Sequence, residues 1–463
     1  MLIGGRLTDG DRSLDVINPA TEEIISSCAC ASSAQIDAAV EAAAGAFPQW
    51  SACSVAERAK YLLAVADVIE SHQDELASLL TAEQGKPLEL SKFEVSGAAS
   101  FFRHTAGLSL DPKRIEASES KEVFLHRRPL GVVAAITAWN FPLFLLAFKL
   151  PSALLAGNTV VAKPAATTPL TALLLGELIA DVVPPGVVNI VADANDLGDR
   201  LTSHPSVAKI SFTGSTATGL KVAENASRTL KRMTLELGGN DAGIVLADAD
   251  PAVVAKGIFA GAFMNCGQAC IALKRLYVHD SIHDELVDHL RTLAEATVLG
   301  DGTDPSTTMG PLQNRKQYEK VVELLDDARA SGEVVAGGNV LPGKGFFIEP
   351  TLVVDIDPES RLVLEEQFGP VLPVIRYSDL DEVIATANAT EFGLGASVWS
   401  SNISRAHEVA ERLNAGTVWI NQHIDLAPHI PQAGAKSSGI GIELGEEGLL
   451  EYTQPKVINA ALT

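Results

Sequence analysis

From Gly131 onward the chain keeps repeating one unit: a short run rich in Val and Ile, a turn or glycine, then helical or polar sequence. VVAAIT (132–137), NTVVAKPA (158–165), GVVNIVA (186–192) and AKISFTGS (208–215) are such runs, and LTALLLGELIADVV (170–183) reads as a helix between two of them. Short, continuously apolar runs fit strands buried on both faces, and their alternation with helices fits a helix-covered parallel sheet. The pattern resumes in AGIVLAD (242–248), KRLYVHD (274–280), GFFIEPTLV (345–353), VLPVIRY (371–377) and GTVWINQ (416–422). Ser281 is placed to cap the helix that 281–300 predicts. Single cores stop growing beyond about 250–300 residues, so a chain of 463 residues needs at least two domains. The main boundary falls near Gly238 and Gly239.

Upstream, residues 1–30 alternate weakly and predict short strands. From Ser33 to about Leu108 apolar residues recur at three and four positions, a helical spacing, with Gly85 and Pro87 closing one helix. Segment 108–131 is polar and broken, with a strand-like end, and reads as an arm or hairpin. No internal repeat and no low-complexity segment interrupts the chain.

Charge and cysteine usage exclude several function classes. A net charge of −23 disfavours nucleic acid and anionic membranes as partners. It leaves room for an anionic cofactor held by backbone N–H groups and a local Lys. Cysteines stand at 28, 30, 53, 266 and 270, an odd number with no C-x-x-C pair, which argues against a disulfide framework and against structural zinc. No metal site is expected, because His and Cys show no ligand spacing. The N-terminal residues show no apolar leader, and apolar stretches such as 143–148 fall far short of the ~20 residues that span a bilayer. A reducing, cytoplasmic setting is the expectation.

Five local patterns carry chemical potential. FTGS (212–215) feeds a strand into a helix, whose free N–H groups suit a phosphate, although no G-x-G-x-x-G or Walker A motif is present and a plain turn reads equally well. FMNCGQACIALKR (263–275) carries two thiols, Cys266 and Cys270. A thiolate is a strong nucleophile with an ordinary pKa of about 8.5, and local sequence leaves open which thiol reacts and whether either is merely structural. In MTLELGGND (233–241), alternation puts Met233, Leu235 and Leu237 on one side and Thr234 and Glu236 on the other. Glu236, leaving an apolar strand just before two glycines, suits a general base or a solvated strand end. Asn140, in a turn closed by Pro142, offers an amide to a developing oxyanion or simply forms the turn. Lys163 ends VVAK, where it suits a ribose or phosphate, or the surface.

Together and in this order, WNFP (139–142), FTGST (212–216), LELGG (235–239), GQAC (267–270) and EEQFGP (365–370) closely resemble the aldehyde dehydrogenase superfamily, from INPAT near the start to GLLEYTQPK near the end. The resemblance implies an α/β fold of two Rossmann-like open-sheet domains with a small β oligomerisation arm. It places a cofactor-binding domain at 1–110 and 131–237, a catalytic domain at 238–437, the arm at 111–130 and 450–463, and a return segment at 438–449. It implies Cys270 as nucleophile, Glu236 as the base that activates water, and the Asn140 side chain with the Cys270 N–H as oxyanion hole. Glu443 resembles a second acid linked to proton relay. Lys163 and Glu366 resemble the ligands of the two cofactor riboses, and Gly214 and Ser215 the pyrophosphate turn, with Trp139 and Phe368 beside the cofactor.

The implied chemistry forms a thiohemiacetal on Cys270 and then a thioester that Glu236-activated water hydrolyses. The resemblance also implies a homodimer or homotetramer. One departure stands out: the family often has an acid three residues after the lysine, and here Ala166 stands in its place. NAD is expected as cofactor, with NADP tolerated. Placed by resemblance, the substrate entrance reads Phe141, Leu145, Phe148, Met264, Ile271, Ile424 and Leu426, all apolar and with no Arg for a substrate carboxylate. An aromatic or medium-chain aliphatic aldehyde is expected, unless these side chains are simply core. A CoA-acylating dehydrogenase, a semialdehyde dehydrogenase and a non-enzymatic protein on the same scaffold are the alternatives. Glu236 argues against CoA as acceptor, the missing Arg against a semialdehyde acid, and the joint presence of Cys270, Glu236, Asn140 and Lys163 against a purely structural role.

Overall fold

Val and Ile runs become the strands of two open sheets in the computed structural model, which describes residues 1–462. The first sheet has eight strands in the order Arg6–Leu7, Leu2–Ile3, Val188–Ile190, Thr159–Lys163, Val132–Ile136, Val207–Thr213, Arg232–Glu236, Gly439–Ile440. Its strands from Val188–Ile190 to Arg232–Glu236 run parallel, and antiparallel strands close both edges. The second sheet has seven strands in the order Glu333–Ala336, Thr351–Val354, Val371–Tyr377, Leu273–His279, Asp241–Val245, Gly395–Trp399, Thr417–Ile420. All its neighbours are parallel except the first pair. A third, antiparallel sheet joins Thr453–Ala461, Lys121–Pro129 and Lys113–Ala117. The fold is therefore α/β, with two mostly parallel sheets in two domains and a small β extension.

Both large sheets are covered on both faces, which is why their strands read as unbroken apolar runs. Trp50, Phe102, Leu146 and Tyr452 pack on one face of the first sheet, and Ile36, Val40 and Leu201 on the other. The covering helices start and stop where chemistry allows. Ser32 with Gln35, and Ser54 with Glu57, form reciprocal capping boxes at the starts of Ser33–Ala52 and Val55–Ser71. Gly85 ends Gln73–Gln84 at φ 95°, a left-handed conformation. A Cβ there would also run into Pro19 Cγ at 2.7 Å.

The structure corrects three local expectations. Ser281 does not cap the following helix, which begins at His283 behind Ile282; its hydroxyl pairs with His279 Nδ1 at 2.9 Å instead. Residues 345–350 form no strand, which starts only at Thr351. The strand Gly395–Trp399, in the interior of the second sheet, went unread because small residues dilute its apolar signal. Gly395 is small for a reason: a Cβ would lie 2.3 Å from Asp241 Oδ2.

No helix among the described residues is long and apolar enough to cross a membrane. One buried side chain ties the site-bearing sheet to its surroundings. Asn158 Oδ1 accepts from the N–H groups of Leu130 (2.6 Å) and Gly131 (3.0 Å). Its Nδ2 donates to the carbonyls of Ala153 (3.2 Å) and Tyr452 (2.9 Å). Each buried polar group left without a partner costs about 1–3 kcal/mol. Asn158→Ala is therefore expected to lower stability by about 3 kcal/mol, read as a shift of the urea midpoint.

Candidate active site

Parallel strands deliver their carboxyl ends to one edge, where ligands of open α/β sheets gather. In the first sheet that edge carries Lys163, the turn following Ile136, Gly214 following Thr213, and Glu236. Lys163 pairs with Ile136 in register, and Thr213 with Glu236. After Glu236 the chain needs only 237–240 to enter the second sheet at Asp241, so the strand end that carries Glu236 lies at the junction of the two sheets. Leu235 and Leu237 bury in one core face, while Thr234 and Glu236 point the other way, Thr234 accepting from Lys209 Nζ at 2.6 Å.

The second sheet brings Cys270. The helix Pro251–Phe263 ends, and Asn265, Cys266 and Gly267 follow with φ of 51°, 59° and 70°. Successive left-handed residues are costly for side-chain-bearing positions, and hydrogen bonds hold them. The Asn265 carbonyl accepts from Gln268 Nε2 at 2.8 Å, Gln268 Oε1 accepts from the Gln313 N–H at 2.8 Å, and Asn265 Nδ2 donates to the Asn140 carbonyl at 2.9 Å. Lys274 Nζ donates to the carbonyls of Ala269 (2.9 Å) and Cys270 (2.7 Å), fixing the loop from behind. The segment is thus no α-helix, and the two thiols part company. Cys266 is 1% exposed in the second core, and burial pushes its thiol far up. Cys270 is half-buried and faces Glu236.

The Glu236 carboxyl couples to the Cys270 thiol, yet neither of its oxygens has a well-aligned hydrogen-bond partner. Burial raises its pKa to about 7, opposed by the thiol contact and reinforced by the charge of Glu443. Burial and then the Glu236 charge push the Cys270 thiol well up, while Lys274 acts in the opposite direction. Glu443, 2% exposed, forms an ion pair with Lys149 and accepts from Ser211 Oγ at 3.2 Å. Asn140 Nδ2 spends one hydrogen on the Gln268 carbonyl at 3.1 Å, and its Oδ1 has no partner.

On the flank, Glu366 Oε1 accepts from the Gly239 N–H at 3.1 Å and lies 3.5 Å from Lys274 Nζ. A Cβ at Gly238 would lie 2.6 Å from Glu366 Oε2. Phe368, at φ 48°, meets Trp139 edge-to-face at 5.3 Å. Ser215 caps Thr216–Ser227, its hydroxyl accepting from the Thr218 N–H, and leaves first-turn N–H groups free. Lys163 is no surface lysine. It is 5% exposed, and its Nζ pairs with Asp193 Oδ1 at 2.5 Å. Ala166 is buried beyond it.

The apolar entrance residues divide. Cys270, Ile271, Ile424 and Leu426 share one small cluster with Trp419, and Leu426 and Phe141 both pack against the core of the first sheet. Phe141, Met264, Ile424 and Leu426 are half-buried. Leu145 and Ile271, 4% and 2% exposed, are core, and Phe148 nearly so. Residues that sequence reasoning missed are the ones that act across the fold: Lys86, Glu94, Lys149, Asp193, Asn265 and Lys274, together with Phe93 and Phe144, whose rings meet edge-to-face at 5.7 Å. Glu94, Lys149, Asp193 and Asn265 carry no local mark because partners of each lie 30 or more residues away.

The profile describing the aldehyde dehydrogenase family matches residues 7–458. A phenylacetaldehyde dehydrogenase from Pseudomonas fluorescens is 40% identical, over 98% of this chain and 94% of that protein. The crystal structure of PnpE in complex with nicotinamide adenine dinucleotide superposes with a TM-score of 0.97 at 40% identity, over 100% of this chain and 97% of that one. An NADP-dependent enzyme from E. coli gives the same TM-score of 0.97 at 40% identity, over 100% and 98% of the two chains. The chain belongs to the aldehyde dehydrogenase family, and with it to the oxidoreductases that act on aldehydes.

Thiol accessibility tests the site directly. Alkylation of the folded protein with iodoacetamide is expected to modify Cys270 and to spare Cys266, read by peptide mass mapping; the reverse pattern would show that Cys266 is the accessible thiol.

Proposed function

We propose that this protein oxidises apolar aldehydes, aromatic or medium-chain aliphatic, to carboxylic acids with a nicotinamide dinucleotide, through a thioester on Cys270. The observation that carries the reading is the Cys270 thiol set against a buried, unpartnered Glu236 carboxyl whose pKa is raised to about 7.

The residues present fit the dinucleotide. Gly238 leaves room that a Cβ would fill against Glu366, and the capped N-terminus of Thr216–Ser227 offers N–H groups to an anion. Lys163, Gly214, Ser215, Trp139, Glu366 and Phe368 would hold it, and when bound it supplies the hydride acceptor. Cys270 gives up its thiol proton to solvent, and the Sγ thiolate attacks the aldehyde carbon and leaves negative charge on its oxygen. Asn140 Nδ2, with a hydrogen to spare, and the Cys270 N–H donate where that charge develops, and one such donor is worth about 2.7–4 kcal/mol. Loss of the adduct's hydrogen with its electron pair leaves the thioester. Glu236 then takes a proton from water, the oxygen attacks the acyl carbon, and the thiolate departs. Glu443, with Lys149 beside it, stands behind Glu236 as the next proton acceptor. Half-buried Phe141, Met264, Ile424 and Leu426 support an apolar substrate.

Cofactor choice follows from Lys163. Its ammonium is engaged by Asp193, a carboxylate that is 0% exposed. That acid takes over the repulsive role left vacant at Ala166, so NAD is preferred over NADP. A homodimer or homotetramer is supported by apolar side chains exposed on the three-stranded sheet, Ile115, Val457 and Ile458.

Two experiments follow. A general base works only when ionised, so a pKa raised to about 7 means activity falls as pH drops through that value. Glu236→Gln is expected to remove this limb, slow turnover about 10²–10⁴-fold and let an acyl adduct accumulate on Cys270, visible by intact mass. An unchanged pH profile would reject Glu236 as the base. Asp193→Asn is expected to raise NADP affinity relative to NAD about tenfold, the effect of ~1.4 kcal/mol of relieved repulsion, read by fluorescence titration with each dinucleotide. An unchanged ratio would remove Asp193 from cofactor selection.

A further inference from the structure

One buried ion pair remains outside this chemistry. Lys86 and Glu94 are both 0% exposed at the side chain, with Nζ 2.5 Å from Oε2. Lys86 follows the left-handed Gly85, and Glu94 lies on Leu88–Ala106. Their remaining polar atoms converge on one short segment. Lys86 Nζ donates to the Asn140 carbonyl at 2.9 Å and stands 3.8 Å from the centre of the Phe141 ring. Glu94 Oε1 accepts from the N–H groups of Leu143 (2.9 Å) and Phe144 (3.3 Å). Those are first-turn donors of Pro142–Leu155, whose own cap residue, Phe141, supplies no side-chain acceptor. The pair thus grips the turn from both ends.

From the other side, Asn265 Nδ2 donates to the same Asn140 carbonyl, and Asn140 Nδ2 donates to the Gln268 carbonyl. The Asn140 peptide is therefore pinned between the Lys86–Glu94 pair and the left-handed turn that presents Cys270.

We propose that Lys86 and Glu94 are positioning residues for the oxyanion donor: their ion pair sets the Asn140 amide where charge develops during thiol addition. The inference rests on the reading of Cys270 and Asn140 given above. A buried pair is a poor stabiliser, because desolvation of both charges opposes their attraction. Its value here is geometric, since a misplacement of about 1 Å in an active site costs about 10²-fold in rate. Lys86 acts through Asn140 and does not touch the reacting atoms.

The test is a double-mutant cycle on the full-length protein. Lys86→Met alone strands a buried carboxylate, so the cycle uses the neutral pair Lys86→Met/Glu94→Gln. That pair keeps an acceptor for the Leu143 N–H and removes one of the two side-chain donors to the Asn140 carbonyl, leaving that of Asn265. Aldehyde oxidation and hydrolysis of 4-nitrophenyl acetate by Cys270 are both measured, the second without dinucleotide. The neutral pair is expected to lower kcat about 10²-fold in both assays, with KM within about threefold and the rate of Cys270 alkylation unchanged. Combined with Asn140→Ala, it is expected to cost little beyond Asn140→Ala alone, because both changes remove the same interaction.

Multiplicative losses would overturn the proposal, as would wild-type kcat in the neutral pair or a fall in alkylation that tracks the fall in kcat. Should the neutral pair fail to fold, Lys86→Arg takes its place. It keeps the charge but changes the reach, and the same split between kcat and KM decides. If Asn140→Ala itself is as fast as wild type, the oxyanion assignment fails, whatever Lys86 does.

Discussion

The Glu236 carboxyl ends a parallel strand with neither oxygen satisfied, inside a site where a second acid, Glu443, stands near. Leaving a carboxylate so is unfavourable, and the surroundings show how it is tolerated. Lys149 is drawn to Glu443, Lys274 braces the Cys270 loop, and the thiol itself faces the carboxyl. The same desolvation that makes this arrangement costly brings Glu236 into the range where it exchanges protons near neutrality. Once that acid is buried at a strand end, the Cys270 thiol and the Lys149–Glu443 pair are arranged around it.

The arrangement is made where a short connection, 237–240, joins a strand of one sheet to a strand of the other. Glu236 ends a strand of one sheet and Asp241 begins a strand of the next, and Gly238 and Gly239 between them are small because Glu366 and the Cys270 carbonyl crowd their Cβ positions. The return strand Gly439–Ile440 pairs with Leu235 and Glu236 and stiffens the junction from the opposite edge. Polar groups deep in the molecule then work as struts. Lys86, Asn265, Gln268 and Lys274 all donate to main-chain carbonyls of turns that carry site residues. Main-chain carbonyls in such turns lack ladder partners, so a side chain has to supply the donor.

Much of this was legible along the chain. Strand alternation put Glu236 opposite Leu235 and Leu237, and Pro142 marked the close of the Asn140 turn. Both are short-range effects, decided by the pleat of a strand or by a ring that lacks an N–H. Legibility failed where two segments settle a residue's state together. Lys163 read locally as suiting a ribose or phosphate, or the surface, yet it is buried and pairs with Asp193, thirty residues on. Cys266 and Cys270 were equivalent thiols until the left-handed turn sent one into the core and the other to the sheet junction. The strand Gly395–Trp399 was invisible because its small residues answer to Asp241 and Trp419 rather than to a local pattern.

By itself, the sequence determined the class of fold, the run of βα units, and which motifs stand at strand ends, because periodicity and turn chemistry act over a few residues. Only the tertiary structure decided which groups share a charge or a proton. Asn140 meets Gln268 across 128 positions and Lys86 across 54. Glu443 meets Lys149 across 294. Protonation and orientation depend on burial and on the nearest partner in space, and neither is a property of any stretch of chain taken alone.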